Sequence, residues 1–207
     1  MIKTWKDMTV RDQVKIAEIN KLDTDTGDKN LRIAAYLAGL TYEQIIQLPL
    51  GELSGIMAST DFLLTKPKPV KARRTYTING RTYNLLKHAE DMTVAQYLDF
   101  QPLIPNGFSN SPAEMLSIFL VPEGHKYNDG YDKDQVIEDM YDLGVEEALG
   151  IAAFFTKRCT RLIRSILVLL KIKLKLTPTA KNEMVKTLKK DTEALLDKLE
   201  CMFGLMQ

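Results

Sequence analysis

The chain has 207 residues, 45% of them hydrophobic, and a formal net charge of +1. That length and apolar content allow one domain or two small ones with a real core and exclude a wholly disordered chain. The balanced charge argues against a dedicated nucleic-acid binder or an acidic-tail protein.

Met1 to Thr9 lacks the apolar stretch of a signal peptide, so synthesis in the cytoplasm is expected. The tetrapeptide Asp-Met-Thr-Val occurs twice, at Asp7 to Val10 and at Asp91 to Val94, each time opening an amphipathic pattern. Trp5 stands just ahead of the first copy, where an aromatic acts as a hydrophobic staple or anchors an N-terminal arm on a neighbour. Thr9 with Asp12, Thr41 with Gln44, Thr93 with Gln96, and Ser111 with Pro112 and Glu114 all have the spacing of helix-starting capping boxes, and Thr177-Pro178 marks a further start. In chain order the caps predict a helix over Val10 to Lys21, a polar turn over Asp23 to Asn30, and a helix over Leu31 to Ala38 closed by Gly39. A short helix over Tyr42 to Leu48 follows. Pro49 then opens another helix, with Leu50, Leu53, Met57 and Leu64 on one face, and this block ends near Thr65.

Residues 66–74 read KPKPVKARR, with five positive charges and two prolines that forbid a helix. The segment is expected to be an extended connection; the sharper reading is a basic contact for phosphate or an acidic partner. Thr75 to Ile78 and Arg81 to Asn84 flank Asn79-Gly80, the strongest short hairpin code. Two strands alone are marginal in water, so the hairpin must lie on a helix or be completed by strands of another chain. Helices are predicted from Thr93 to near Gln101, from Ser111 to near Val121, over Asp132 to Tyr141, and from Val145 to Leu176. The loop Pro122 to Gly130 separates the second from the third. The most apolar stretch, Leu162 to Leu176, holds only six consecutive uncharged residues, Ser165 to Leu170, too few to span a bilayer. A last helix runs to about Phe203, and its seam of Val185, Leu188, Thr192, Leu195, Leu199, Met202 and Met206 suits a partner helix, either the preceding one or one from another chain.

Glu123 to Glu147 contains nine acids and two lysines, whereas Ala148 to Asn182 contains eight Lys or Arg and no acid. The two blocks neutralise each other within the fold, stay solvated, or dock copies head to tail. A third reading puts nucleic acid on Arg158, Arg161 and Arg164, which share a helical face without interleaved aromatics. Asp23 to Asp28 fails as a calcium loop, because its sixth position is Asp28 and its twelfth is Ala34. His88 and His125 lack ligand-spaced partners, and Cys159 and Cys201 read as buried thiols, with one long-range disulfide as the alternative. Glu138 and Asp142 stand at i,i+4, but such a pair on an acidic helix is ordinarily a solvated face. Phe154-Phe155 after Gly150 suggests a packed helix crossing. The sequence carries no catalytic signature motif, and a non-enzymatic protein without a cofactor or metal is expected.

Trp5-x-Asp7-x-Thr9, the run Leu40 to Pro49, the hairpin through Tyr83, Asp91-x-Thr93-x-x-Gln96-Tyr97, and Val145 to Phe155 with its Gly150 together resemble small accessory virion and tail-assembly proteins of tailed bacteriophages. The likeness is to phages of Bacteroidota hosts and the crAss-like group, and it covers most of residues 5–155. It implies a component of the portal or tail region, a connector or internal cargo protein. That component would be assembled in the host cytoplasm into the virion and would pack against other virion proteins and copies of itself. A transient tail-assembly chaperone and a nucleic-acid-contacting packaging protein are the alternatives; no membrane is implied. The expected fold is mostly α, a multi-helix bundle with one small inserted β-hairpin. Its parts are a helical subdomain (1–65), the basic linker (66–74), and the hairpin with a helical bundle and long C-terminal helices (75–207). The candidate interaction surface comprises Trp5, Arg158, Arg161, Arg164, Lys171, Leu188, Leu195, Leu199 and Met202.

Overall fold

The computed structural model describes residues 2–88, 91–158 and Lys190. The fold is mostly α with a small antiparallel sheet. Its helices are α1 (Val10–Asn20), α2 (Thr26–Ala38), α3 (Tyr42–Ile45), α4 (Leu50–Ser59), α5 (Val94–Phe100), α6 (Pro112–Phe119), α7 (Lys133–Tyr141) and α8, helical over residues 145–158. Short 3-10 segments cover Trp5–Asp7, Asp61–Leu64 and Gln101–Asn106. The strands are β1 (Thr75–Ile78), β2 (Arg81–Leu85) and β3 (Leu120–Pro122), in the order β1-β2-β3.

The capping boxes at Thr9, Thr41 and Thr93 all form. In each, the threonine hydroxyl accepts the N–H of the third helical residue, whose own side chain accepts the threonine N–H, so two orphan donors are satisfied. Ser111 does precede a helix with Pro112 at its first position, but its side chain makes no cap bond. The Asp23 to Asn30 turn is shorter than expected. The Asp25 side chain accepts the N–H of Asp28 at 3.0 Å and starts α2 at Thr26, five residues before Leu31. Gly39 closes α2 in the left-handed region at φ 74°. Asp28, far from holding calcium, accepts the Arg32 guanidinium at 2.7 Å and the Tyr42 hydroxyl.

The hairpin forms in the expected register, with Asn79 and Gly80 at φ 50° and 76°. This is the double positive φ of a turn whose twist matches the strands. The hairpin lies on helices, as one of the two expectations had it, and the other is corrected, since the third strand comes from the chain itself and not from another. Val121 precedes Pro122, and the residue before proline is driven out of the helical region. The α6 helix therefore stops at Phe119, and Leu120 to Pro122 pair with Leu85 to Tyr83. Tyr76, Ile78, Tyr83 and Leu85 face inward while the alternate residues face outward. The inward set joins Met115, Leu116 and Phe119 of α6, Val136 and Met140 of α7, and Ile151 and Phe155 of α8 in the main core. The Phe155 ring stacks on Phe119 with centroids 3.8 Å apart.

Ahead of the sheet, α1 to α4 pack around two smaller clusters, one on Ile19, Ile33 and Leu37 and one on Ala34, Ala35 and Ile45. The α1 helix joins the two regions. Val10 lies in the main core and Ile19 in a small one, and Met8 and Val10 flank a bridge to α8 in which Val10 N–H meets the Leu143 carbonyl and Val145 N–H the Met8 carbonyl, both at 2.9 Å. The face predicted for α4 is split: Leu53 and Met57 pack inward, whereas Leu50 and Leu64 are 83% and 87% exposed.

Residues 66–74 contain no helix, and Val70 pins the segment to α8 by donating its N–H to the Glu146 carbonyl at 2.9 Å. Gly150 faces this segment, so the crossing that it accommodates is an extended strand of chain and not a helix. A Cβ there would fall 1.8 Å from the Val70 carbonyl oxygen.

Candidate functional site

Three polar assemblies emerge from this packing, and one of them is structural. Asp139, on α7, is 1% exposed and lies against the hairpin turn. Its carboxylate accepts the Tyr83 hydroxyl, the Arg81 guanidinium at 2.7 Å, and the amides of Asn79 and Gln135 at 3.1 Å. Burial pulls the Asp139 carboxyl upward, but the bonds from Tyr83, Arg81 and Asn79 together hold it below its ordinary value. Burial and the same contact raise the Tyr83 hydroxyl well above the usual tyrosine range. Beside this node, Arg11 reaches Glu138 at 2.7 Å and Asp142 at 3.2 Å. The i,i+4 carboxylates thus share one guanidinium that ties α1 to α7.

The second assembly is a cleft of about 330 Å³ between α5, α6 and α7. Leu98, Leu103, Ile118, Val136 and Ile137 give it apolar walls. At its polar end Asp99 accepts the Lys133 ammonium at 2.9 Å and the Tyr127 hydroxyl at 2.7 Å. Those two bonds hold the Asp99 carboxyl below its ordinary value, while burial and then the Asp99 contact raise the Tyr127 hydroxyl. The Ser117 hydroxyl, on the same wall, donates to the Glu114 carbonyl at 2.8 Å. Among the described residues, Glu114 Oε2 is buried with no hydrogen-bond partner. Glu114 is therefore not the capping partner of Ser111 that its spacing suggests, and it leaves one unmet acceptor at the cleft wall.

Along the rim of this cleft runs α5, with an inverted arrangement. Gln96 and Phe100 are buried, whereas Val94, Tyr97 and Leu98 are 76%, 52% and 58% exposed. Positions i, i+3 and i+4 share a helical face, so these three form one apolar ridge directed outward. Gln96 can turn inward because both ends of its amide are satisfied. Its Oε1 accepts the Thr93 N–H at 3.0 Å, and its Nε2 donates to the Ile118 carbonyl at 2.8 Å.

The third assembly is a cleft of about 230 Å³ where residues 72–74, the end of β2 and α8 meet. Arg73, Arg74, Lys87, His88 and Arg158 line it, with no carboxylate among the described lining residues. The Arg158 guanidinium lies 4.9 Å over the Phe154 ring and 2.7 Å from His88 Nδ1. An arginine only donates, so this geometry makes Nδ1 the acceptor. Arg73 lies 5.2 Å over the Tyr76 ring and pairs with Glu147.

Of the candidate interaction residues, Arg158 falls in this basic cleft. Trp5 packs within the chain, its ring edge-on to Phe62 at 5.4 Å and its indole N–H on the Thr65 carbonyl at 3.0 Å. Arg161, Arg164, Lys171, Leu188, Leu195, Leu199 and Met202 lie outside the described residues, as do Cys159, Cys201 and Thr177-Pro178. Lys190, in the predicted last helix, is helical and exposed. The acids of the acidic block draw Arg11, Arg73 and Arg81 as counter-charges, all from outside the basic block, while Lys133, within the acidic block, pairs with Asp99. Sequence reading missed the α5 ridge, whose 94, 97, 98 spacing is visible but does not say which face turns out. It also missed Lys87 and His88, which join the basic segment only through the fold.

Among the described residues no cluster of three or more His, Cys, Asp or Glu could hold a metal ion, and no helix is long and apolar enough to cross a membrane. Comparison with protein-family models, curated proteins and solved structures gave no match to the chain.

Proposed function

We propose that this chain is a non-enzymatic component of a tailed-bacteriophage particle. It belongs to the portal or tail region as a connector or internal cargo protein, packs in multiple copies against other virion proteins, and assembles in the host cytoplasm. The observation that carries this reading is the α5 ridge. Val94, Tyr97 and Leu98 hold apolar surface in water beside a cleft with an unmet acceptor, on a helix anchored by a capping box and a buried glutamine. Grouped apolar surface rimmed by polar groups is characteristic of protein contacts. The compact polar assembly around Asp139, by contrast, is engaged in joining the hairpin to α7.

Quantitative mass spectrometry of purified particles tests the reading. The chain should be present in stoichiometric amount in particles assembled with the natural sequence. It should be strongly depleted when Tyr97 and Leu98 are both replaced by Lys, changes that leave the core untouched. The same ridge would serve a transient tail-assembly chaperone, which shields a client's apolar surface. Abundance in infected cells with absence from mature particles selects that reading instead.

A further inference from the structure

We infer that the basic cleft binds a phosphate group, and that the phosphate belongs to the backbone of a nucleic-acid strand lying along residues 66–74. The inference rests on the cleft and the basic segment that leads to it, and holds whether or not the chain is a virion component.

Two of the cations are already in place. Arg158 is fixed between the Phe154 ring and His88, using one of its five N–H donors on the histidine. Arg73 is fixed over Tyr76 and paired to Glu147. Side chains held this way lose little freedom when an anion arrives, which is the general source of tight binding by a preformed site. Arg74 and Lys87 supply the remaining charge, since neither has a carboxylate partner among the described residues and both are exposed. The cleft, at about 230 Å³, falls below the usual volume of sites for drug-sized ligands. It suits a single anionic group better than a whole nucleotide.

The source of that group follows from what leads to the cleft. Lys68 and Lys71 are exposed on the same extended segment, which spans roughly 30 Å if fully stretched. Pinning of Val70 to the Glu146 carbonyl gives that run of charges a fixed course past α8. A row of cations ending in a cation-lined cleft matches a chain of evenly spaced phosphates; a lone carboxylate would use one end of it. Phe154 and Tyr76 lie under arginines and are not free to stack on bases. Contact is therefore with the backbone, without sequence readout. The net charge of +1 does not oppose this: Glu138, Asp139 and Asp142 pair with Arg11 and Arg81 away from the cleft, and although Glu147 pairs with Arg73 and Glu146 accepts the Lys68 N–H, the five basic side chains lining the cleft outnumber these two carboxylates.

The test is fluorescence anisotropy of the full chain with labelled single strands and duplexes of two unrelated sequences, between 20 and 200 mM salt, with polyglutamate as competitor. The expected result is binding that is indifferent to sequence, falls steeply with salt, and resists polyglutamate at equal charge. Arg74→Ala with Lys87→Ala should weaken it uniformly and reduce the magnitude of the log–log salt slope by about 2, roughly one for each phosphate contact removed. Both side chains are exposed, and circular dichroism should show an unchanged helix content in the double variant. No binding at the lowest salt, an unaltered slope in the double variant, or displacement by polyglutamate at equal charge would each overturn the inference; the last result would reassign the cleft to an acidic protein.

Discussion

The two Asp-Met-Thr-Val segments have the same sequence and the same cap, yet sit in opposite surroundings. In the first, Met8 and Val10 are 1% and 0% exposed, clamped by the backbone bridge to Leu143 and Val145. In the second, Met92 is half-buried and Val94 is 76% exposed. The difference continues into the third helical residue. Asp12 closes the first box with one oxygen and accepts the Tyr36 hydroxyl at 2.7 Å with the other, joining α1 to α2. Gln96 closes the second with its oxygen and holds the α6 carbonyl of Ile118 with its amide nitrogen. A cap motif thus specifies where a helix begins. What the helix buries depends on the elements that arrive later, and at α5 they leave an apolar ridge uncovered.

The largest expected effect separates the two segments at once. Met8→Ala should destabilise the chain by about 3 kcal/mol in urea denaturation, the usual cost of emptying a filled core site. Val94→Ala should change stability by less than about 0.5 kcal/mol. Equal losses at the two sites would erase the distinction. Next comes Gln96→Ala, which leaves the buried Ile118 carbonyl and the Thr93 N–H without partners and should cost about 2 kcal/mol by the same measurement. Thr9→Ala and Thr93→Ala should each cost about 1 kcal/mol, because the cap itself is the same in both places.

The last comparison is the response to alkali at Tyr36, whose hydroxyl bonds Asp12 of the first segment. Burial, then the hydrogen bond to Asp12, pushes the Tyr36 hydroxyl up to about 12. A tyrosine ionises near 10 in the unfolded chain. The folded form therefore favours the protonated hydroxyl, and its contribution is complete below pH about 10 and is lost as pH rises from there toward 12. Ultraviolet titration should show one tyrosine whose midpoint falls in Asp12→Asn, while Gln96→Glu leaves it unmoved.

Local chemistry explains which parts of the fold were legible. Asn79-Gly80 and the threonine caps act within four residues, so spacing alone reveals them. The third strand was hidden because Leu120-Val121 prolongs an apolar helical run, and only the proline at 122 marks the change. The start of α2 was misplaced because Asp23, Thr24 and Asp25 all have capping chemistry, and packing of α2 on α1 and α3 selects Asp25. Glu114 has capping spacing, but its side chain is half-buried in the wall of a cleft between three helices. The basic segment and Arg158 were each visible as charge. That they meet across Val70 and Gly150, and recruit Lys87 and His88, is a tertiary fact with no local signature.

Hydroxyl-radical footprinting of Tyr97 in the free chain and in assembled particles tests the central claim most directly, since that side chain stands on the ridge from which the function is argued. Strong labelling is expected in the isolated chain, and clear protection once the chain is packed in the particle. Equal labelling in both would contradict it, for then no partner covers α5.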